Sequence, residues 1–259
     1  MRIVLKNAAK AECFCTLFQH IKLFTDHINI MFEHGRVYIQ SMDSSRVSIF
    51  EIDLPTAWFD AYELENPATI GISSSMLFKV LNTRDKAQEM CFMVQNEDPD
   101  KLEVHFTSDN KSVFDKHFEL PLMELECDVM DIPVTDSQAE LTLPSMNFAN
   151  LIAQLRLFGE TLEIKCDEEK IEMYSLSSEL GKMTVDIDID DLTEYSINEG
   201  QSVKLSFSLT ILQNICMYSK ITKEIELKLT ENFPLSLTYK LGEGGGRMSF
   251  YLAPKLQED

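Results

Sequence analysis

Positive charge is what this chain is short of. Against 43 aspartates and glutamates stand 23 lysines and arginines, a net charge of −20. That balance excludes a protein that grips nucleic acid over its whole surface, because such binding runs on neutralising phosphates with Lys and Arg. It leaves open a local basic face on an acidic body, since the placement of charge matters as well as its total. Long apolar runs are missing too, so no bilayer-spanning helix is expected. The opening residues, MRIVLKNAAK, carry no apolar signal core. The six cysteines (Cys13, Cys15, Cys91, Cys127, Cys166 and Cys216) show no metal-ligand spacing and read as reduced thiols. A soluble, intracellular protein is the expectation.

Constellations for catalysis are lacking as well. Cys13 and Cys15 sit two apart on a helical stripe and point in different directions. His20, His27, His34, His105 and His117 form no zinc motif. Asp186, Asp188, Asp190 and Asp191 alternate with Val185, Ile187 and Ile189, which is the wet face of a strand, and no calcium-loop glycine or distal glutamate accompanies them. The glycine-rich run Gly242–Arg247 has no Lys-Ser/Thr and no following helix, so it reads as a hairpin turn and not as a phosphate loop. No catalytic residue, no metal and no cofactor is expected.

What the chain does have is repetition. Ile28–Asp43 aligns with Leu162–Ser177, Ile70–Leu81 with Leu205–Cys216, and the hairpin starting at Leu102 with that at Leu235. The offset stays near 134 positions, the mark of an internal repeat. A unit this long is a duplicated domain, and 259 residues suffice for two. Period-two alternation dominates, as at Val37/Ile39, Leu102/Val104/Phe106, Val203/Leu205/Phe207 and Ile225/Leu227/Leu229. Four segments break it with helical spacing: Phe14/Leu17/Phe18/Ile21, Met76/Leu77/Val80/Leu81, Phe148/Leu151/Ile152/Leu155 and Leu209/Leu212/Cys216. Ser145 after Pro144 is the expected cap of the third. The division predicted is an N-terminal domain over 1–118, a connector over 119–140 and a C-terminal domain over 141–259. The connector is long and acidic, yet carries Met130 and Ile132 beside Pro133, odd residues for a plain solvated linker. On or beside the four helices sit Lys10, Lys22, Lys79, Arg84, Lys86, Arg156, Lys220 and Lys223, where few acids occur. They read either as ordinary solvated helix faces or as one mildly positive surface.

Two strings, QSMDSSRV at Gln40–Val47 and FYLAPKLQED at Phe250–Asp259, stand at opposite ends of the chain, with LMELE…DIP in the connector between them. With the two-domain repeat, they resemble the proliferating cell nuclear antigen family, the eukaryotic and viral DNA sliding clamps. The resemblance implies an α+β fold of two similar clamp domains, with β-rich sheets outside and two short helices per domain inside. Three chains would close head to tail into a pseudo-sixfold ring. It implies a processivity factor that encircles duplex DNA without reading its sequence, tethers a DNA polymerase and other PIP-box proteins, and is opened by a clamp loader. A nuclear location follows, or a viral replication site. The eight basic residues just named would face DNA. Strands at Ser112–Leu120 and Lys170–Ser178 would join subunits, with Phe118, Lys170, Ser175 and Ser178 at the joint.

Partner peptides would plug an apolar pocket between the domains beneath the connector, lined by Met42, Arg46, Val47, Ile49, Met130, Ile132, Pro133, Pro234, Tyr251, Ala253 and Pro254. By themselves Met42, Val47 and Ile49 read as strand packing. Exposed, adaptable Met beside Pro suits a site that takes several partners. The chain departs from the family in having few basic residues on its third helix, and in carrying Glu168 where the family often has a modified lysine. A monomeric or dimeric processivity factor, a subunit of a heterotrimeric clamp, and a β-rich hydrolase or nuclease are the competing readings.

Overall fold

The structure, a computed structural model, describes residues 1–95, 100–126, 128–133 and 135–255. Cys127 and the last four residues of the C-terminal string, Leu256–Asp259, lie outside them. The described residues form the strands β1 (Arg2–Leu5), β2 (His27–Phe32), β3 (Arg36–Met42), β4 (Ser48–Pro55), β5 (Ala61–Glu63), β6 (Ala68–Ser73), β7 (Glu89–Met93), β8 (Lys101–Thr107) and β9 (Lys116–Pro121). A second set follows: β10 (Ala139–Pro144), β11 (Thr161–Cys166), β12 (Lys170–Ser177), β13 (Gly181–Asp188), β14 (Glu194–Ile197), β15 (Val203–Ser208), β16 (Glu224–Leu229), β17 (Leu235–Lys240) and β18 (Arg247–Leu252). The helices are α1 (Ala8–Ile21), α2 (Ser74–Leu81), α3 (Ser145–Leu155) and α4 (Leu209–Cys216). The order strand, helix, five strands, helix, three strands occurs twice. Even the single-turn 3-10 helices repeat, Thr56–Trp58 after β4 and Ile189–Asp191 after β13. The duplication read from spacing is a duplication of topology.

The chain divides into two compact units. The first comprises residues 1–44, 51–130 and 241–247, and the second 45–50, 131–240 and 248–259. The division falls at Met130, inside the connector. The glycine-rich turn belongs to the first unit, where Trp58 Nε1 donates to Leu241 O at 3.0 Å. Gly244, at φ 100°, takes a left-handed conformation there that a side chain would disfavour.

In the first unit β1, β5, β7, β8 and β9 form a five-stranded antiparallel sheet in the order β5-β1-β7-β8-β9. α1 lies on β1 and β7, and α2 packs beside α1. α1 turns its predicted stripe inward: Phe14, Leu17, Phe18 and Ile21 are all buried, with Ala11. Each large apolar side chain so buried contributes roughly 1.5–3 kcal/mol. The helix starts where Asn7 Oδ1 accepts from Ala9 N at 3.0 Å and Lys10 N at 3.1 Å. Asn7→Ala leaves both amides without that acceptor and is expected to cost about 1 kcal/mol, read as a lower denaturant midpoint at unchanged slope. Ser73 caps α2 in the same way, accepting from Met76 N at 3.4 Å.

The second unit repeats the plan with a four-stranded sheet, β13-β12-β11-β15, and β14-β10-β16-β17-β18 alongside β4. Phe148, Ile152 and Leu155 of α3 and Leu209, Leu212 and Ile215 of α4 are buried, and α3 packs beside α4. One expectation is corrected here. Ser145 does not cap α3. Pro144 holds the cap position without a side-chain bond, and Ser145 is the first helical residue, buried, its hydroxyl 3.4 Å from Thr222 Oγ1. A proline at the boundary fixes φ near −58° and so starts the helix by geometry instead of by a hydrogen bond.

Candidate functional site

The exposed faces of the helices come first. Lys22 follows α1, its ammonium 5.3 Å from the Phe78 ring centre, and Lys79 stands in the last turn of α2. Lys86 in the first unit and Lys220 and Lys223 in the second are exposed on the turns that follow α2 and α4. Among the described residues none of these five is in an ion pair. Their charge is therefore available to an anionic partner. Lys10 is half-buried, its ammonium 5.8 Å over Trp58, and Arg156 is a half-buried residue ending α3. His20 adds no charge, because burial and then the Lys22 ammonium push its imidazole below its ordinary value.

Arg84 must be withdrawn from this face. Its side chain is 2% exposed and reaches Glu12 at 3.2 Å, and its Nη1 donates to the carbonyls of Asp85, Lys86 and Gln88. It closes its own loop. Sequence reasoning could not separate it from the lysines, since a guanidinium with five donors can satisfy carbonyls that a lysine would leave to water. The face of α3 is neutral, as read: Asn147, Asn150, Ala153 and Gln154 are its exposed residues, joined by Met146. Among the described residues no three His, Cys, Asp or Glu side chains gather as metal ligands.

Sheet edges are the second feature. Among the described residues β9 ends the five-stranded sheet, paired only with β8, and β13 ends the four-stranded sheet, paired only with β12. Other edges are shorter or covered. β5 and β14 have three and four residues. β6 is met by the connector, with Met123 N donating to Gly71 O at 2.9 Å, and β15 by Lys255 N on Ser206 O at 2.8 Å. The placement of Lys170 and Ser175 is thereby corrected. Both lie in β12, which is hydrogen-bonded to β11 on one side and β13 on the other, so it has no edge to offer. Ser175 is buried, while Lys170 and, in the turn before β13, Ser178 are exposed.

Phe118 is half-buried on β9, its ring 5.7 Å from Phe106. Nearby in sequence, Phe114 is 84% exposed, and the β12–β13 hairpin of the second unit exposes Leu176 and Leu180, with Leu157 after α3. These four were missed. For Phe114, Leu157 and Leu180 the signal was an apolar residue in a turn or loop segment, where solvent is the default; Leu176 is an exposed residue of β12 itself.

The third feature is the connector and the residues expected to receive peptides. In the first unit Met42 ends β3 half-buried, and Met130 is held by Gln40, whose Nε2 donates to Met130 O at 2.9 Å and whose Oε1 accepts from Met130 N at 2.7 Å. Asn29 Nδ2 donates to Glu126 O at 2.9 Å. A Cβ on Gly71 would stand 2.4 Å from Met123 O, so glycine is what lets the connector close on β6. Tyr38, whose hydroxyl donates to Glu51, is pushed up by burial and then by that carboxylate, and stays a donor at neutral pH.

In the second unit Val47 O accepts from Ala253 N at 2.9 Å, which brings the start of β4 to the end of β18. Val47 and Ala253 are exposed, Ile49, Tyr251 and Pro254 half-buried. Arg46, exposed, turns the chain with φ 59°, a left-handed conformation unusual for a side-chain-bearing residue. Ile132 is half-buried beside exposed Pro133, and Pro234 is exposed just before β17.

Two like units, each with a helix pair on its sheet, unpaired lysines by the helices and one long open strand edge, define the class of DNA sliding clamps. The model of the proliferating cell nuclear antigen N-terminal domain matches residues 5–130 and that of its C-terminal domain residues 131–255. Relatives include the proliferating cell nuclear antigen of Chaetomium thermophilum, 26% identical over 92% of this chain and 93% of that one. Proliferating cell nuclear antigen 2 of Drosophila melanogaster is 27% identical over 85% of each. The chain belongs to the proliferating cell nuclear antigen family, and is a DNA sliding clamp and processivity factor. The family is one of clamps and not of catalysts.

Proposed function

We propose that three copies of this chain join head to tail, β9 of one against β13 of the next, and close around duplex DNA. The observation that carries this reading is the pair of open edges, one in each unit. An exposed edge of six or eight residues is a template for pairing with another chain. Because the two edges differ, the contact is heterologous, and it must either close into a ring or run on as a filament. Phe114 and Phe118 on one side and Leu157, Leu176 and Leu180 on the other supply apolar surface for the joint.

The closed ring holds DNA by topology, so its lysines need only attract phosphates loosely, which suits −20 of net charge and a neutral α3 face. A loader opens the ring, and the protein works in the nucleus. PIP-box segments of a polymerase and of other DNA enzymes dock on the second unit's Val47, Ile49, Tyr251, Ala253 and Pro254, with the connector residues Ile132 and Pro133. Docking on a captive ring raises the enzyme's effective concentration at the template.

Light scattering tests the ring, with a mass near three times 29.7 kDa expected. After loading, the protein is expected to stay on nicked circular DNA and to run off the same DNA once linearised. Equal loss from both would sink the reading. Lys22→Glu combined with Lys79→Glu is expected to cut polymerase stimulation several-fold at low salt, with the unfolding midpoint unmoved. An unchanged stimulation would return these lysines to ordinary solvated surface.

A further inference from the structure

The string QSMDSSRV contains a residue that the clamp function leaves without a task. Gln40 is 9% exposed, in the middle of β3. Amides are seldom buried unless their donors and acceptors are met, and this one meets all of its own on named partners. Its two Nε2 hydrogens are shared among Met130 O at 2.9 Å, Glu51 Oε1 at 3.1 Å and Tyr38 OH at 3.2 Å. Its Oε1 takes Met130 N at 2.7 Å. The side-chain amide thus stands to the Met130 peptide as one strand residue stands to its hydrogen-bonded partner, with both bonds exchanged.

An amide can flip, and a flipped Gln40 would set its oxygen against the Met130 carbonyl and its nitrogen against the Met130 N–H. Glu51 prevents this. Its carboxylate is acceptor-only when ionised, so the Gln40 nitrogen must face it. Tyr38 hydroxyl donates to Glu51 and fixes the carboxylate in turn. Upstream the connector is tied by backbone at Met123–Gly71 and by Asn29 at Glu126. The Gln40 clamp is the last of these ties, two residues before Ile132.

We infer that Gln40, oriented by Glu51 and Tyr38, is a positioning residue that sets the register of the connector at Met130 and thereby tunes the affinity for partner peptides. The inference rests on the reading above that the connector receives those peptides. Gln40 touches no peptide itself. A connector free at Met130 must be ordered at the moment of binding, and that entropy subtracts from affinity.

The experiment uses the full-length protein, with Gln40→Met to keep the side-chain length and apolar stem while deleting the polar bonds, and Glu51→Gln to leave Gln40 in place but unlock its amide. Hydrogen exchange reports the Met130 amide, and fluorescence polarisation reports a labelled PIP-box peptide. Expected for Gln40→Met are an exchange rate at Met130 at least tenfold faster, a peptide Kd about tenfold higher through a faster off-rate, and an unchanged oligomeric mass. Glu51→Gln is expected to change both in the same direction by less. Unaltered exchange at Met130, or an unaltered Kd alongside accelerated exchange, overturns the inference. If the unsubstituted protein does not bind the peptide, the peptide-site reading falls first and the inference with it. If Gln40→Met does not fold, Glu51→Gln decides by the same two measurements.

Discussion

Phe114→Ala is expected to take the ring apart, shifting the mass from about three times 29.7 kDa to the single-chain value at micromolar concentration. The argument is one of multiplication. Phe114 leaves 84% of its surface in water in the isolated chain, and burying a phenylalanine fully is worth roughly 1.5–3 kcal/mol. A closed trimer has three identical joints, so the loss is counted three times, about 6 kcal/mol for the assembly. At 1.4 kcal/mol per factor of ten, that is on the order of 10⁴ in the assembly constant. The fold of the single chain is expected to be untouched, because Phe114 makes little of its core. Far-ultraviolet circular dichroism and the denaturant midpoint check this, and light scattering checks the mass. A trimer that survives at micromolar concentration would mean that β9 is not the joint.

Tyr251→Ala is the second large effect, with Ile132→Ala beside it. Both positions are half-buried in the second unit. A large side chain with one face still open is what a peptide anchor can complete by burial. Truncating such a position costs about 1–3 kcal/mol of binding, a rise of roughly 5- to 150-fold in the Kd of a PIP-box peptide. Mass and DNA retention are expected to stay as they are. Loss of the trimer in either variant would show that these residues hold the assembly instead of the partner. The pair also separates the peptide site from the connector clamp. Tyr251→Ala is expected to leave exchange at the Met130 amide unchanged, whereas Gln40→Met is expected to accelerate it.

Much of the fold was legible in the residues. The four helical stripes are the four helices, because an inward face every 3.6 residues leaves a mark in any amphipathic helix. Asp186 and Asp188 are the wet face of β13, but the strand stops there and Asp190 and Asp191 fall in the 3-10 helix Ile189–Asp191, against the reading of one strand; the run Gly242–Arg247 is a hairpin turn. The sites were legible only in part. Arg84 looked like its lysine neighbours until its guanidinium was found on three carbonyls. Gln40 lay within a string used to recognise the family, yet its role depends on Met130, ninety positions away. Phe114 lay inside the segment expected to join subunits, and exposure alone sets it apart.

By itself the sequence determined that the chain is two copies of one β-rich plan, where the helices lie, and which family it belongs to. Those properties are written in local periodicity and in strings of adjacent residues. Only the tertiary structure decided that β13, and not β12, is the open edge. Alternation with a period of two tells which face of a strand is dry. It says nothing about how many of a strand's two sides are hydrogen-bonded, because those bonds run sideways to chains distant in sequence. An edge is a property of the sheet, and it exists only once the sheet has formed.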